Sequence, residues 1–208
     1  PPSPLGGAGA GVPDRGPLNG AGVLRPLREP VSIAEQIAIA DLVSNGRVNV
    51  IFGAGYVPFE FAMFGKSLKE RGKLMDSGVD TVLRALRGER FEREDGRPVF
   101  VRPLPVQEPE DIVMVGGGVE ASARRAARFG CGFGPMKNEL VDIYLAECER
   151  LGHRPRTYRR PVEGMPIAIH LCEDPEAGWL AIERHAVHVI TEYAKWAEAE
   201  GDGSNSPF

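Results

Sequence analysis

Short apolar runs rich in β-branched residues alternate with longer stretches of helical spacing, and this rhythm predicts the elements. Ile33, Ile37, Ala40 and Leu42 share one helical face; Ser32 as N-cap with Glu35 three residues on forms a capping box, and Asn45-Gly46 supplies the stop. Arg47–Phe52 (RVNVIF) reads as a buried strand ending in Gly53-Ala54-Gly55-Tyr56. Leu68–Leu86 has helical spacing through Leu68, Met75, Val79, Val82, Leu83 and Leu86, and closes at Gly88. Glu89–Pro109 is polar and holds Pro98, Pro103, Pro105 and Pro109, so it predicts an excursion with a hairpin. Asp111–Val115 (DIVMV) is a second strand, followed by Gly116-Gly117-Gly118. Val119–Phe129 reads as a helix closed by Gly130, Cys131–Gly134 as a short strand or turn, and Asn138–Leu151 as a helix closed by Gly152. Met165–Leu171 is a strand, and Asp174 (N-cap) with Pro175 (first helical position) opens a long helix to about Ala199.

Strands alternating with helices imply parallel pairing and right-handed crossovers, an α/β fold. The strands are apolar without alternation, as expected when both faces are covered. An open doubly wound sheet and a (β/α)8 barrel both satisfy the order. Four strands, with a fifth stub at Val23-Leu24, are too few to close a barrel, so on the barrel reading this is an incomplete (β/α)8 TIM barrel of four to five parallel βα units. Pro1 to Pro30 hold seven prolines and seven glycines without periodicity. Residues 1–22 are accordingly expected to be disordered or aberrant, 23–200 to form the barrel piece, and 201–208 to be a polar tail.

Composition narrows the setting. The 25 basic and 29 acidic side chains leave a formal charge of −4, with no basic excess for a nucleic-acid backbone. No apolar run reaches the ~20 residues of a membrane helix. Cys131, Cys148 and Cys172 stand apart without CxxC spacing, which argues against a disulfide framework and fits a reducing cytoplasm. No signal-peptide pattern opens the chain.

Chemistry is expected beyond the C-terminal ends of the strands. Two of these ends are glycine-rich, and the triple glycine leads straight into a helix whose free N–H groups favour an anion, with phosphate the natural guest. The alternative is that the glycines only make tight turns. Neither turn is GxGxxG, and GxxxxGK[ST] is absent, so a Rossmann dinucleotide site and a nucleotide P-loop are disfavoured. Tyr56 can hydrogen-bond a phosphate, stack on a ring or simply pack its loop. Arg71 reads as a solvated helix-start charge, with an anionic ligand as the second choice. His185, His188 and Glu192 have helical spacing for a metal but lack a third ligand from another element, so no metal is assigned. His170 is read as a loop-packing histidine and Cys131 as a small hydrophobe. Arg124, Arg125, Arg128, Arg154, Arg156, Arg159 and Arg160 read as a solvated face. No nucleophile triad or carboxylate dyad is visible, so no catalytic residue is assigned and any chemistry falls to a bound cofactor.

Three stretches in order, LRPLREPVSIAEQIAIADLVSNGRVNVIFGAGYVPFEFAMFG, KERGKLMDSGVDTVLRALRGE and RPLPVQEPEDIVMVGGGVEASARRAARFG, resemble the luciferase-like flavin monooxygenases, which include deazaflavin-dependent relatives. The resemblance spans Leu24 to Trp196. It implies a (β/α)8 barrel with FMN, or alternatively a deazaflavin coenzyme, at the C-terminal strand ends. It also implies oxidation of an organic substrate with reduced flavin and oxygen, or hydride transfer with the deazaflavin. By position Gly53, Ala54, Gly55 and Tyr56 would lie near the cofactor, and Gly117, Gly118 and Val119 would hold its phosphate through backbone N–H groups. Family members often place hydroxyl or charged side chains at these turns; glycine and valine here imply contact through backbone. A flavin reductase and a homodimeric partner are further implications. The stretch Pro1–Gly22 does not resemble the family's first strands, and the chain ends at Phe208 before the family's last strand. This places the units as the third or fourth through the seventh, and leaves a non-catalytic flavin-binding or structural fragment as the alternative function.

Overall fold

The structure is a computed structural model that describes residues 18–162 and 170–199. Four parallel strands form one sheet in the order β1 (Leu18–Leu24), β2 (Val48–Gly53), β5 (Val113–Gly117), β6 (Gly132–Pro135). Between β2 and β5, β3 (Phe91–Glu92) and β4 (Pro98–Val99) make a small antiparallel ribbon. This is the hairpin expected in the proline-rich excursion.

α1 (Pro30–Ser44) starts two residues before the expected cap. Glu29 is the N-cap and its carboxylate accepts from the Ser32 amide at 2.9 Å, so Ser32 lies inside the helix and the Ser32–Glu35 capping box does not form. Pro30 explains the shift: its fixed φ suits the first helical position, where a missing N–H costs nothing. The helix stops as expected at Asn45, which adopts the left-handed conformation (φ 55°). α2 (Pro58–Met63) has no counterpart in the periodicity reading. α3 (Arg71–Leu86) begins after a 3-10 turn at Leu68–Glu70. The strand expected at Asp111 begins only at Val113, because Pro109 opens the short helix α4 (Pro109–Ile112) with Glu110 and Asp111 in its first turn. α5 (Glu120–Arg128) and α6 (Glu139–Leu151) fall where predicted, and Gly152 closes α6 with φ 70°.

β1 is longer than the Val23-Leu24 stub. Leu18–Gly22, expected to be disordered, pairs with β2 from Leu18↔Val48 onward with an irregularity between Gly20 and Val23. Backbone pairing needs no side chain, so a glycine-rich run can join a sheet that its propensity does not favour. The strand expected at Met165–Leu171 lies largely outside the described residues, and His170 and Leu171 belong to no element. After α6 the chain returns to the sheet margin, where the Phe133 amide donates to Thr157 O at 2.9 Å and Phe133 bridges Tyr158. α7 (Pro175–Ala199) is opened by Asp174, whose Oδ1 accepts from the Glu176 amide at 3.0 Å, as expected of its N-cap.

The core lies between one face of the sheet and helices α1, α3, α5 and α6. Val50, Phe52, Val113, Val115 and Phe133 pack against Ile37, Val79, Leu83, Ala123 and Tyr144. Burial alternates along β2: Val48, Val50 and Phe52 are buried, whereas Asn49, Ile51 and Gly53 are only half-buried. Full cover of both faces was expected; among the described residues helices cover one. At the strand starts, Asp41 of α1 accepts from the amides of Val106 (2.8 Å) and Gln107 (3.0 Å) and from Gln107 Nε2 (2.7 Å). Gln107 Nε2 also reaches Val48 O at 3.0 Å, tying the end of the excursion to the root of β2. No helix among the described residues is long and apolar enough to cross a membrane.

Candidate functional site at the glycine rim

β2 and β5 are parallel neighbours with Phe52 opposite Val115. Their C-terminal ends therefore open on the same rim, and the Gly53–Tyr56 and Gly116–Val119 turns stand side by side. The rest of the rim is the end of β6, where Gly116 pairs with Gly134 and Gly117 with Pro135.

Each turn is shaped by what leans on it. Gly55 has φ +75°, a left-handed conformation that favours glycine, and a Cβ there would come 3.0 Å from Cε2 of the buried Phe61 of α2. Leu24 approaches the same turn, 3.8 Å from the Cβ position of Gly53. Arg71 Nη1 lies 3.5 Å from Gly55 O, so this half-buried guanidinium sits against the turn rather than standing free as a solvated charge. Tyr56 is half-buried beside it.

In the second turn a Cβ on Gly117 would lie 2.7 Å from both Cβ and Oγ of Ser122, and one on Gly118 would lie 3.3 Å from Met136 Sδ. The Ser122 hydroxyl donates to Val119 O at 2.5 Å, and the Met136 amide donates to Gly117 O at 3.3 Å. Val119 is the N-cap of α5 and no side chain caps that end. The Ser122 amide turns back to Val119 O at 3.0 Å, and the amides of Glu120 and Ala121 ahead of it stand at the positive end of the helix dipole. Glu120, in the first turn, is drawn aside by Arg124, whose Nε donates to Glu120 Oε1 at 2.7 Å. The cradle is made largely of backbone, and a side chain at Gly117 would collide with Ser122. Those properties fit the terminal phosphate of a flavin.

The other sequence candidates lie elsewhere. His185 and His188 are exposed on α7, and no group of three or more His, Cys, Asp or Glu among the described residues could hold a metal. His170 is exposed and, with Cys172, packs on Gly178 at the start of α7. Cys131 is fully buried in the core, as expected of a small hydrophobe. Burial pushes its thiol far above the ordinary range. Of the seven arginines read as a solvated face, Arg124, Arg128, Arg154, Arg159 and Arg160 are exposed, whereas Arg125 and Arg156 are not. Arg125 Nε meets Asp76 at 2.5 Å, Arg156 Nη1 meets Asp111 at 2.6 Å, and both side chains are only 14% exposed. A groove of about 540 Å³ opens among Leu83, Arg87, Glu110, Phe129, His153 and Arg156. It lies at the strand starts, away from the glycine turns. Ser122, Phe61, Met136 and Leu24, which shape the turns, carry no sequence signal of their own: they act by volume across register positions that only the pairing defines.

A parallel βα sheet with two glycine turns side by side at its C-terminal rim defines an α/β protein of the barrel type. The profile of luciferase-like monooxygenases matches residues 20–202, and the chain belongs to that family. Monooxygenase RslO1 from Streptomyces bottropensis superposes with a TM-score of 0.67 at 26% identity, over 90% of this chain and 60% of that one. The oxygenating constituent of 3,6-diketocamphane monooxygenase from Pseudomonas putida, in complex with FMN, gives 0.57 at 17% identity, over 67% of this chain and 45% of that one. An F420-dependent secondary alcohol dehydrogenase, bound to an F420-acetone adduct, gives 0.50 at 18%, over 62% of this chain and 44% of that one. The latter two show the fold alone. Among curated proteins, uncharacterized protein y4vJ of Sinorhizobium fredii is 29% identical over 110 residues, 50% of this chain and 31% of its own length. The chain thus spans less than a third of that relative. The four parallel strands and their helices are part of a (β/α)8 barrel.

Proposed function

We propose that this chain carries the cofactor rim of a flavin-dependent oxidoreductase that oxidises an organic substrate. One observation carries the reading: the Phe52–Val115 register sets two glycine turns side by side on one rim, next to an uncapped helix start. The amides at Gly117, Gly118 and Val119 hold the phosphate of FMN, and Gly53, Ala54, Gly55 and Tyr56 flank its ring system. Reduced FMN would supply electrons and oxygen activation; in the alternative with a deazaflavin, the coenzyme would supply hydride. The protein contributes binding and orientation. Backbone donors fixed by Ser122 and Met136 need no reorganisation to receive an anion, and Arg71 brings a positive charge to the Gly55 turn. A cytoplasmic setting, supported by three free cysteines, a separate flavin reductase and self-association belong to the same proposal.

Titration with FMN and with the deazaflavin coenzyme, followed by quenching of flavin fluorescence, tests it. Saturable quenching by one of them is expected, weakened at least tenfold by Gly117→Ala, whose methyl collides with Ser122. An unchanged signal at high protein concentration refutes the binding site. Quenching without substrate turnover would identify a non-catalytic flavin-binding unit.

A further inference from the structure

A second feature lies away from the glycine cradle. Side chains from three separate parts of the chain bring positive charge to the loop Arg25–Glu29, which joins β1 to α1. Arg25 Nη1 donates to Arg28 O at 2.7 Å. Lys66, from the turn after α2, donates from Nζ to Pro26 O. Arg93, from the β3–β4 ribbon, meets Glu29 Oε1 at 2.6 Å. Carboxylates do not balance this charge. Glu29 spends its other oxygen on the Ser32 amide, and Asp95 approaches only Arg93, at 3.8 Å, and Arg97. No carboxylate among the described residues forms an ion pair with Arg25 or Lys66.

Arg25 is the telling member. It is 3% exposed, and its Nε is sealed from solvent without a hydrogen-bond partner. Its guanidinium lies directly on the backbone of α3 at Gly78, where a Cβ would fall 2.0 Å from Cζ. Burial holds its pKa down at about 10, opposed by Glu29 and reinforced by Arg93. Lys66 is lowered too, by burial first and then by Arg25 and Arg93. A buried guanidinium is ordinarily matched by an anion, because an unmatched charge in the interior is costly. The planar fork of an arginine beside two further cations is the geometry that recognises a phosphate-type oxyanion.

We propose that the loop Arg25–Glu29, flanked by Lys66 and Arg93, is an oxyanion site that takes a phosphate group and is separate from the cradle at Gly117–Val119. The anion completes the match that Arg25 lacks, and Gly78 makes room for the guanidinium. The site does not depend on the flavin reading.

Thermal unfolding of the full chain in inorganic phosphate, against chloride at equal ionic strength, tests it. The midpoint should rise saturably with phosphate. In the Gly117→Ala background, where the cradle no longer contributes, Arg25→Met should abolish the rise, because it keeps the apolar stem but removes the guanidinium that lies on Gly78. Lys66→Met with Arg93→Met, both at partly exposed positions, should weaken the apparent affinity at least tenfold and carries the test if Arg25→Met fails to fold. Gly117→Ala should leave the rise intact. A parallel titration with glycerol phosphate separates sources: equal affinity assigns a free ion, and tighter binding assigns the head group of a larger molecule. A wild-type midpoint indifferent to phosphate beyond the chloride control overturns the proposal. So does a response lost in Gly117→Ala but retained in the double variant.

Discussion

The two faces of the sheet are built on opposite plans. Toward the helices stand Val48, Val50, Phe52, Val113, Val115 and Phe133, all buried. The other face presents Asn49, Ile51 and Gly53 on β2, Met114 and Gly116 on β5, and Gly132 and Gly134 on β6. There the glycines are occupied by their neighbours. A Cβ on Gly116 would sit 2.7 Å from Ile51 Cγ2, and one on Gly132 would sit 2.8 Å from Met114 Cγ. The first face is filled by large side chains and holds the fold together. The second is kept shallow, with two side chains leaning over bare backbone. Bulk and bare backbone are thereby assigned to different sides of the same strands, and a substitution should reveal which side it touches.

The largest effect is expected on the helix-facing side. Phe52→Ala empties a fully buried site and should cost about 3–5 kcal/mol, read from urea unfolding. A loss below about 1 kcal/mol would mean that this face is not the main core. On the other side, Gly116→Ala should cost about 1–3 kcal/mol by overpacking against Ile51. Ile51→Ala in the same chain should recover most of that loss, because the two changes share one contact. Additive losses in the double variant would show that Ile51 does not rest on Gly116. The smallest effect is a pH slope. Cys131, buried beneath the helix layer, ionises less readily folded than unfolded, where its ordinary value is 9.0. Its contribution is therefore complete below about pH 9 and is lost as pH rises above it, by at most about 1.4 kcal/mol per pH unit. Cys131→Ala should flatten that alkaline decline.

The plan of the molecule was legible where local signals agree with tertiary ones. Asn45-Gly46 and Gly152 end their helices as read, and the glycine turns follow the strands that the β-branched runs predict. That the two turns share a rim follows from parallel order alone. The failures have physical causes. Leu18–Gly22 has the composition of a loop yet pairs as a strand, because its hydrogen bonds come from β2. Pro30 and Pro109 start helices that an apolar-periodicity reading places later or not at all. Ile51 over Gly116 and Ser122 against Gly117 were invisible, because such pairs depend on register and crossover geometry. Arg125 and Arg156 looked like surface charges because their partners Asp76 and Asp111 stand far away in sequence.

The three donors that close on Asp41 have a consequence for how the chain can vary. They clamp the returning leg of the excursion at Val106–Gln107, just upstream of the turn into β5. The distal tip at Glu94–Gly96 is an exposed turn closed by its own Gly96-to-Arg93 hydrogen bond of 2.9 Å. Added residues at that tip would be absorbed before the clamp, leaving the downstream strand in frame. The arm is modular: evolution or an engineer can graft new length there without disturbing the barrel wall.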